Sequence, residues 1–173
     1  METENKTCCV FGHRKVTGKE DLKIKLTQII ERLIACDNVD TFLFGSRSEF
    51  DDLCREVISE RKKKHTHIKR IYVRAEYPDI DEAYEKYLLQ RCEKTYFPER
   101  ARNAGRAVYI ERNYEMIDNS EICLVYYKDG YLPPERKNSN RDLVSYQPNS
   151  GTYMAYRYAV LKKRKIINTA DNI

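Results

Sequence analysis

Four apolar residues in direct succession, Ile122-Cys123-Leu124-Val125, read as a strand with no polar alternation. A strand of that kind is covered on both faces, which requires helices on each side of a sheet. The rest of the chain supplies them. Short runs rich in strand formers at residues 7–11, 41–44, 67–73 and 165–168 join the run at 121–127 as five predicted strands. Between them, residues 19–36 carry Leu22, Ile24, Leu26, Ile29, Ile30, Leu33 and Ile34 mainly at helical spacing, one face of an amphipathic helix. Phe50, Leu53, Cys54, Val57 and Ile58 do the same for a helix over 50–63. Ala83, Tyr84, Tyr87, Leu88 and Cys92 predict a helix over 81–93, and further helices are expected at 108–117 and 152–163. Strands alternating with helices define an α/β domain with a mostly parallel sheet. With right-handed crossovers, the simplest arrangement is a Rossmann-like three-layer α/β/α fold with strand order 3-2-1-4-5, a single domain over 1–173.

No apolar run approaches the roughly 20 residues of a membrane span. The start, Met1-Glu2-Thr3-Glu4-Asn5-Lys6, is acidic and polar rather than a basic region feeding an apolar one, so a cytosolic protein is expected. Cys8 and Cys9 are adjacent and Cys36, Cys54, Cys92 and Cys123 are scattered without a C-x-x-C pair, which reads as small buried hydrophobes. Lys and Arg number 32 against 27 Asp and Glu, a net charge of +5, which mildly favours anionic partners and falls short of a nucleic-acid-binding excess. The densest basic clusters, residues 61–64 and 162–165, each follow a predicted helix, where cations complement the helix dipole. His65 and His67 lie at the turn into the third strand with no third ligand near them, so no metal site is expected.

In open parallel sheets, ligands bind beyond the strand C-termini where the winding reverses. That rule selects the turn Gly12-His13-Arg14, the turn Gly45-Ser46-Arg47 leading through Ser48 and Glu49 to Asp51, the loop 128–149, and Ser150-Gly151-Thr152. Three of these put a glycine at or near a helix start, where free N–H groups and the helix dipole favour phosphate or carboxylate. Ser46, Ser150 and Thr152 add hydroxyls, and Arg14 and Arg47 add planar forks for phosphate oxygens. Serine and threonine at a helix start are equally good N-caps, and Asp51 suits either a ribose hydroxyl or a helix N-terminus. Of the fourteen tyrosines, those in the region 126–146 are candidates for stacking on a base, and the others read as packing residues.

The ordered set of turns resembles the SLOG superfamily, a Rossmann-like group that includes the LOG nucleotide phosphoribohydrolases and the core of DNA-processing protein A. The chain is most similar to the small SLOG proteins of Firmicutes. The resemblance runs through Cys8 to Arg14, Phe42-Leu43-Phe44-Gly45 to Asp51, Arg112-Asn113 to Ser120, Val125-Tyr126-Tyr127, and Ser150-Gly151-Thr152 to Ala159. It implies a nucleotide or nucleotide-derived ligand, no other cofactor, and Arg112 and Asn113 facing the cleft, a pair that the helical reading also allows in solvent. Pairing through flanking helices in that family implies a homodimer. LOG hydrolases carry P-G-G-x-G-T-x-x-E, whereas this chain reads Pro148-Asn149-Ser150-Gly151-Thr152-Tyr153-Met154-Ala155, with no carboxylate after the threonine.

A nucleotide-binding or sensing module is therefore the leading expectation, its ligand ADP-ribose-like or NAD-derived by the family resemblance. N-glycosidic hydrolysis of a nucleoside monophosphate is the alternative, with Glu49 or Asp51 as acid or base in place of the missing glutamate. Single-stranded DNA binding is the third reading and would need a basic, aromatic-lined groove.

Overall fold

The computed structural model describes residues 3–131 and 150–170. Six strands form one all-parallel sheet: β1 Lys6–Gly12, β2 Val39–Phe44, β3 Lys69–Val73, β4 Lys94–Tyr96, β5 Ile122–Tyr126 and β6 Lys165–Asn168, in the order β4-β3-β2-β1-β5-β6. The expected order is contained in it, and β4 extends it at one edge. Helices α1 Lys19–Ala35 and α2 Glu49–Lys64 cover one face, and α4 Val108–Asp118 and α5 Gly151–Leu161 cover the other. The sheet is a Rossmann-like three-layer fold whose winding reverses between β1 and β5, as the register Cys9↔Cys123 and Phe11↔Val125 records. Much of the anticipated loop at 128–149, including Tyr146 and the Pro148-Asn149 pair, lies outside the described residues.

The two central strands explain the sheet's position. Cys8, Cys9, Val10 and Phe11 of β1 and every residue of β5 are buried, so their side chains supply both cores at once. Complete burial of such a Leu, Ile or Phe side chain contributes about 1.5–3 kcal/mol each. In α1 the buried set is Leu22, Leu26, Ile30, Leu33 and Ile34, at spacings of three and four. Ile24 falls two residues off this stripe and is 60% exposed, contrary to its expected place on the inner face.

Two further corrections concern the edge. The helix expected over 81–93 is α3 Glu82–Leu89, capped by Asp81, whose carboxylate accepts from the Tyr84 N–H at 2.7 Å. None of its residues is buried, so the apolar spacing did not produce a packed face. Its tail gives way to β4, where Ile71↔Lys94, Tyr72↔Thr95 and Val73↔Tyr96 pair with β3. Only three residues long and without an apolar run, β4 carries no strand signal of its own.

The basic clusters sit at helix C-termini, on the strand N-terminal side of the sheet. Lys62 donates to the Ile68 carbonyl at 2.7 Å and pairs with Glu93, Lys64 and Arg61 pair with Glu31, and Lys162 pairs with Asp118. No helix among the described residues is long and apolar enough to cross a membrane.

Candidate functional site

At the C-terminal edge of the sheet, the turns after β1 and β2 and the start of α5 enclose a cleft of about 540 Å³. Gly12, His13 and Arg14 line it from β1, and Gly45, Ser46 and Arg47 from β2. Arg112 and Asn113 enter from α4, and Ser150, Gly151 and Thr152 from α5. Tyr72, Ala75, Glu76, Tyr109 and Tyr131 complete the walls. Among the sequence-selected ligand residues, Asp51 alone is not part of the lining.

The three turns differ in what they leave free. At α2, the Ser48 hydroxyl caps the helix by accepting from the Asp51 N–H at 3.0 Å and donates back to Asp51 Oδ1 at 3.1 Å. Asp51 Oδ2 accepts the Ser46 N–H at 3.0 Å, and the residue is fully buried. Burial pushes its carboxyl pKa up, while the Ser46 N–H, the nearby Arg112 charge and the serine hydroxyls oppose this. Glu49 is engaged as well. One of its oxygens accepts the Val16 N–H at 3.0 Å and the other meets Lys15 and Lys19, which holds its carboxyl at about 2. The α2 N–H groups of Glu49, Asp51 and Asp52 are taken by the Arg14 carbonyl and by Ser48, and both proposed acid/base carboxylates are engaged by neighbouring segments and lie outside the cleft lining.

At α5 the first turn holds no acidic residue. Ser150 caps it by accepting from the Tyr153 N–H at 3.1 Å, and the Thr152 hydroxyl donates to the Gly12 carbonyl at 3.0 Å, which ties α5 to the end of β1. Among the described residues the N–H groups of Gly151 and Thr152 carry no hydrogen bond, and the Gly151 Cα faces open space. This helix end is where an anion is best received, with donors and dipole both free. Arg14 is exposed and makes no side-chain hydrogen bond among the described residues, while Arg47, largely exposed, interacts with Tyr72 and lies 3.9 Å from Glu76, which together raise its pKa. Each remains available to a phosphate.

Gly12 and Gly45 have ordinary backbone angles, and their missing Cβ is required by the protein itself. A Cβ on Gly12 would lie 2.5 Å from Phe50 Cδ1, and one on Gly45 would lie 2.6 Å from Arg112 Cδ. Arg112 borders the cleft yet is buried beneath the β2 turn, away from solvent. Its Nη1 donates to the Gly45 carbonyl and, at 3.5 Å, to that of Val73, while Nε donates to Asn113 Oδ1 at 2.9 Å.

His13 is buried, with Tyr131 stacked on its ring at 3.9 Å between centroids. The Lys128 N–H donates to Nε2 at 2.8 Å, and since an amide N–H can only donate, the neutral ring carries its proton on Nδ1. That Nδ1 has no partner among the described residues. Burial lowers the His13 pKa below 6.5. The unfolded chain therefore takes up this proton first as the solution is acidified, and stability falls as pH drops through about 6.5 until the folded ring also titrates. We expect urea midpoints to decline from pH 7 to 5.5, with a slope from this group of at most about 1.4 kcal/mol per pH unit, and His13→Gln to remove that part. A flat wild-type profile over this interval would contradict the assignment.

Glu76, Tyr72 and Tyr109 escaped the sequence reading. Glu76 is the one carboxylate lining the cleft among the described residues, and it accepts from the Tyr109 hydroxyl at 2.7 Å. Tyr109 was detectable in principle, because it lies three residues before Arg112 on the same helical face. The fold and the cleft define a Rossmann-like α/β domain with a polar, cationic pocket at its switch point. No protein-family model matches this chain, and no curated protein matches it.

Proposed function

We propose that this protein binds a nucleotide or nucleotide-derived ligand at the switch-point cleft and acts as a binding or sensing module. The observation that carries this reading is the pair of N–H groups on Gly151 and Thr152, unbonded among the described residues, in a cleft that Arg14 and Arg47 also line. Phosphate matches that combination of free donors, helix dipole and guanidinium forks. Tyr72, Tyr109 and Tyr131 on the walls offer apolar faces to a sugar or base. The SLOG-like order of the turns supports the same ligand class. A reducing, cytosolic setting suits a chain whose cysteines are all free thiols.

Binding is favoured over hydrolysis because the Glu49 and Asp51 carboxylates are engaged outside the cleft lining, by Val16, Lys15 and Lys19 and by Ser46 and Ser48. The test is a thermal-shift panel with AMP, ADP, ADP-ribose and NAD on wild type and Arg47→Ala, followed by product analysis. A ligand at about a hundred times its Kd adds roughly 2.7 kcal/mol, which for a domain of this size is about 5–10 °C. We expect a shift of that order, reduced in Arg47→Ala, with the ligand recovered intact. Recovery of free base, abolished in Glu76→Gln, would instead make the protein a hydrolase, and no shift with any nucleotide would overturn the proposal.

A further inference from the structure

A second pocket, of about 340 Å³, opens between α2 and α3 over β3. It exists because α3 buries none of its residues and stands off the sheet instead of closing on it. Phe44 and Tyr72 form its floor, and Tyr84, Tyr87 and Leu88 of α3 form one wall. The Tyr84 and Tyr87 rings lie within 14° of parallel, 6.2 Å apart. The volume falls within the usual range of small-molecule sites.

Its rim is cationic. Arg91 lies over the Tyr87 ring at 5.0 Å with no carboxylate beside it among the described residues, and Arg47 is 71% exposed in its side chain. Arg55 contacts Asp52, yet its Nε is buried without a partner. Asp52 is the single carboxylate in the lining. An aromatic floor with a guanidinium rim matches a planar ring attached to an anionic group.

The pocket adjoins the switch-point cleft, and Arg47 and Tyr72 line both. We propose that it is a second subsite of the same binding site and takes the distal nucleoside of a dinucleotide, with the linking phosphates crossing Arg47 and the near phosphate at the α5 N-terminus. This inference rests on the nucleotide-binding reading. The arginine rim further requires the distal base to be uncharged, since a cationic ring there would meet like charge.

The test is calorimetric titration of the full chain with AMP, ADP-ribose and diadenosine pyrophosphate. ADP-ribose shares the pyrophosphate and second ribose and lacks only the second base. Diadenosine pyrophosphate is expected to bind at least tenfold more tightly than either of the others. Tyr87→Ala and Arg91→Ala, both at exposed positions, should remove that advantage and leave AMP affinity unchanged. Equal affinity for ADP-ribose and diadenosine pyrophosphate overturns the subsite, as does a Tyr87→Ala variant that retains the wild-type preference or weakens AMP and diadenosine pyrophosphate alike. If AMP binds and the second nucleoside adds nothing, only this inference fails; if none of the three binds, the nucleotide reading fails with it.

Discussion

Arg112→Ala is expected to destabilise the domain by about 3–5 kcal/mol, the usual consequence of deleting one member of a buried charged network. The guanidinium is 3% exposed and holds the Gly45 and Val73 carbonyls, the C-terminal ends of β2 and β3, to α4. Its removal withdraws both donated hydrogen bonds and the positive charge that favours the ionised form of the fully buried Asp51. The released carboxylate is the same one that receives the Ser46 N–H, so the β2 turn loses its shape as well. Lysine does not rescue this variant, because a single ammonium cannot reproduce hydrogen bonds from Nη1 and Nε in fixed directions. Against a typical total stability of about 5–15 kcal/mol the loss is large, and a urea midpoint measures it directly. A change under about 1 kcal/mol would show that Arg112 is not the support beneath this turn.

Gly12→Ala is expected to cost about 1–3 kcal/mol through overpacking. The new methyl would meet Phe50 Cδ1 at 2.5 Å, Cγ at 2.7 Å and Cβ at 2.9 Å. The last of these lies so close to the α2 backbone that a rotamer change gives no relief. Phe50 is fully buried, and α2 is held in place by the Glu49 N–H donating to the Arg14 carbonyl at 2.9 Å. Relief therefore requires moving the helix or straining the turn. Combining Gly12→Ala with Phe50→Leu should give a smaller loss than the sum of the two single changes, since both act on one contact. Simple additivity in denaturant midpoints would contradict the contact.

The fold was readable wherever one element carries its own signal. Consecutive apolar residues gave β5, three- and four-residue spacing gave α1 and α2, and right-handed crossovers then left one simple strand order. Signals failed where neighbours decide. Lys94-Thr95-Tyr96 is a strand only because β3 offers it an edge, and Tyr87 and Leu89 of α3 remain exposed because the pattern of a face does not supply a partner for it.

The candidate site divides along the same line. Its location follows from topology, and all the sequence-selected residues except Glu49 and Asp51 line one cleft. Their roles did not follow. Glycine after a strand suggests room for a ligand, yet at positions 12 and 45 that room is filled by Phe50 and Arg112, contributed by residues 38 and 67 positions away in sequence. Carboxylates at a helix start suggest either caps or catalysis, and only the neighbouring Ser46, Val16 and lysine donors distinguish them. Gly151 alone retains the open approach that the sequence reading assigned to all three glycines.

That contrast makes Gly151→Ala the sharpest probe of nucleotide binding at this cleft. Among the described residues the added methyl meets no atom within 4 Å, so folding is undisturbed, but it stands beside the two N–H groups, unbonded among those residues, that would receive a phosphate. Calorimetric titration of AMP into wild type and Gly151→Ala should show binding to the first and at least tenfold weaker binding to the second, at an unchanged or slightly raised melting temperature. AMP binding of equal strength to both proteins, or to neither, would contradict a phosphate site at the start of α5.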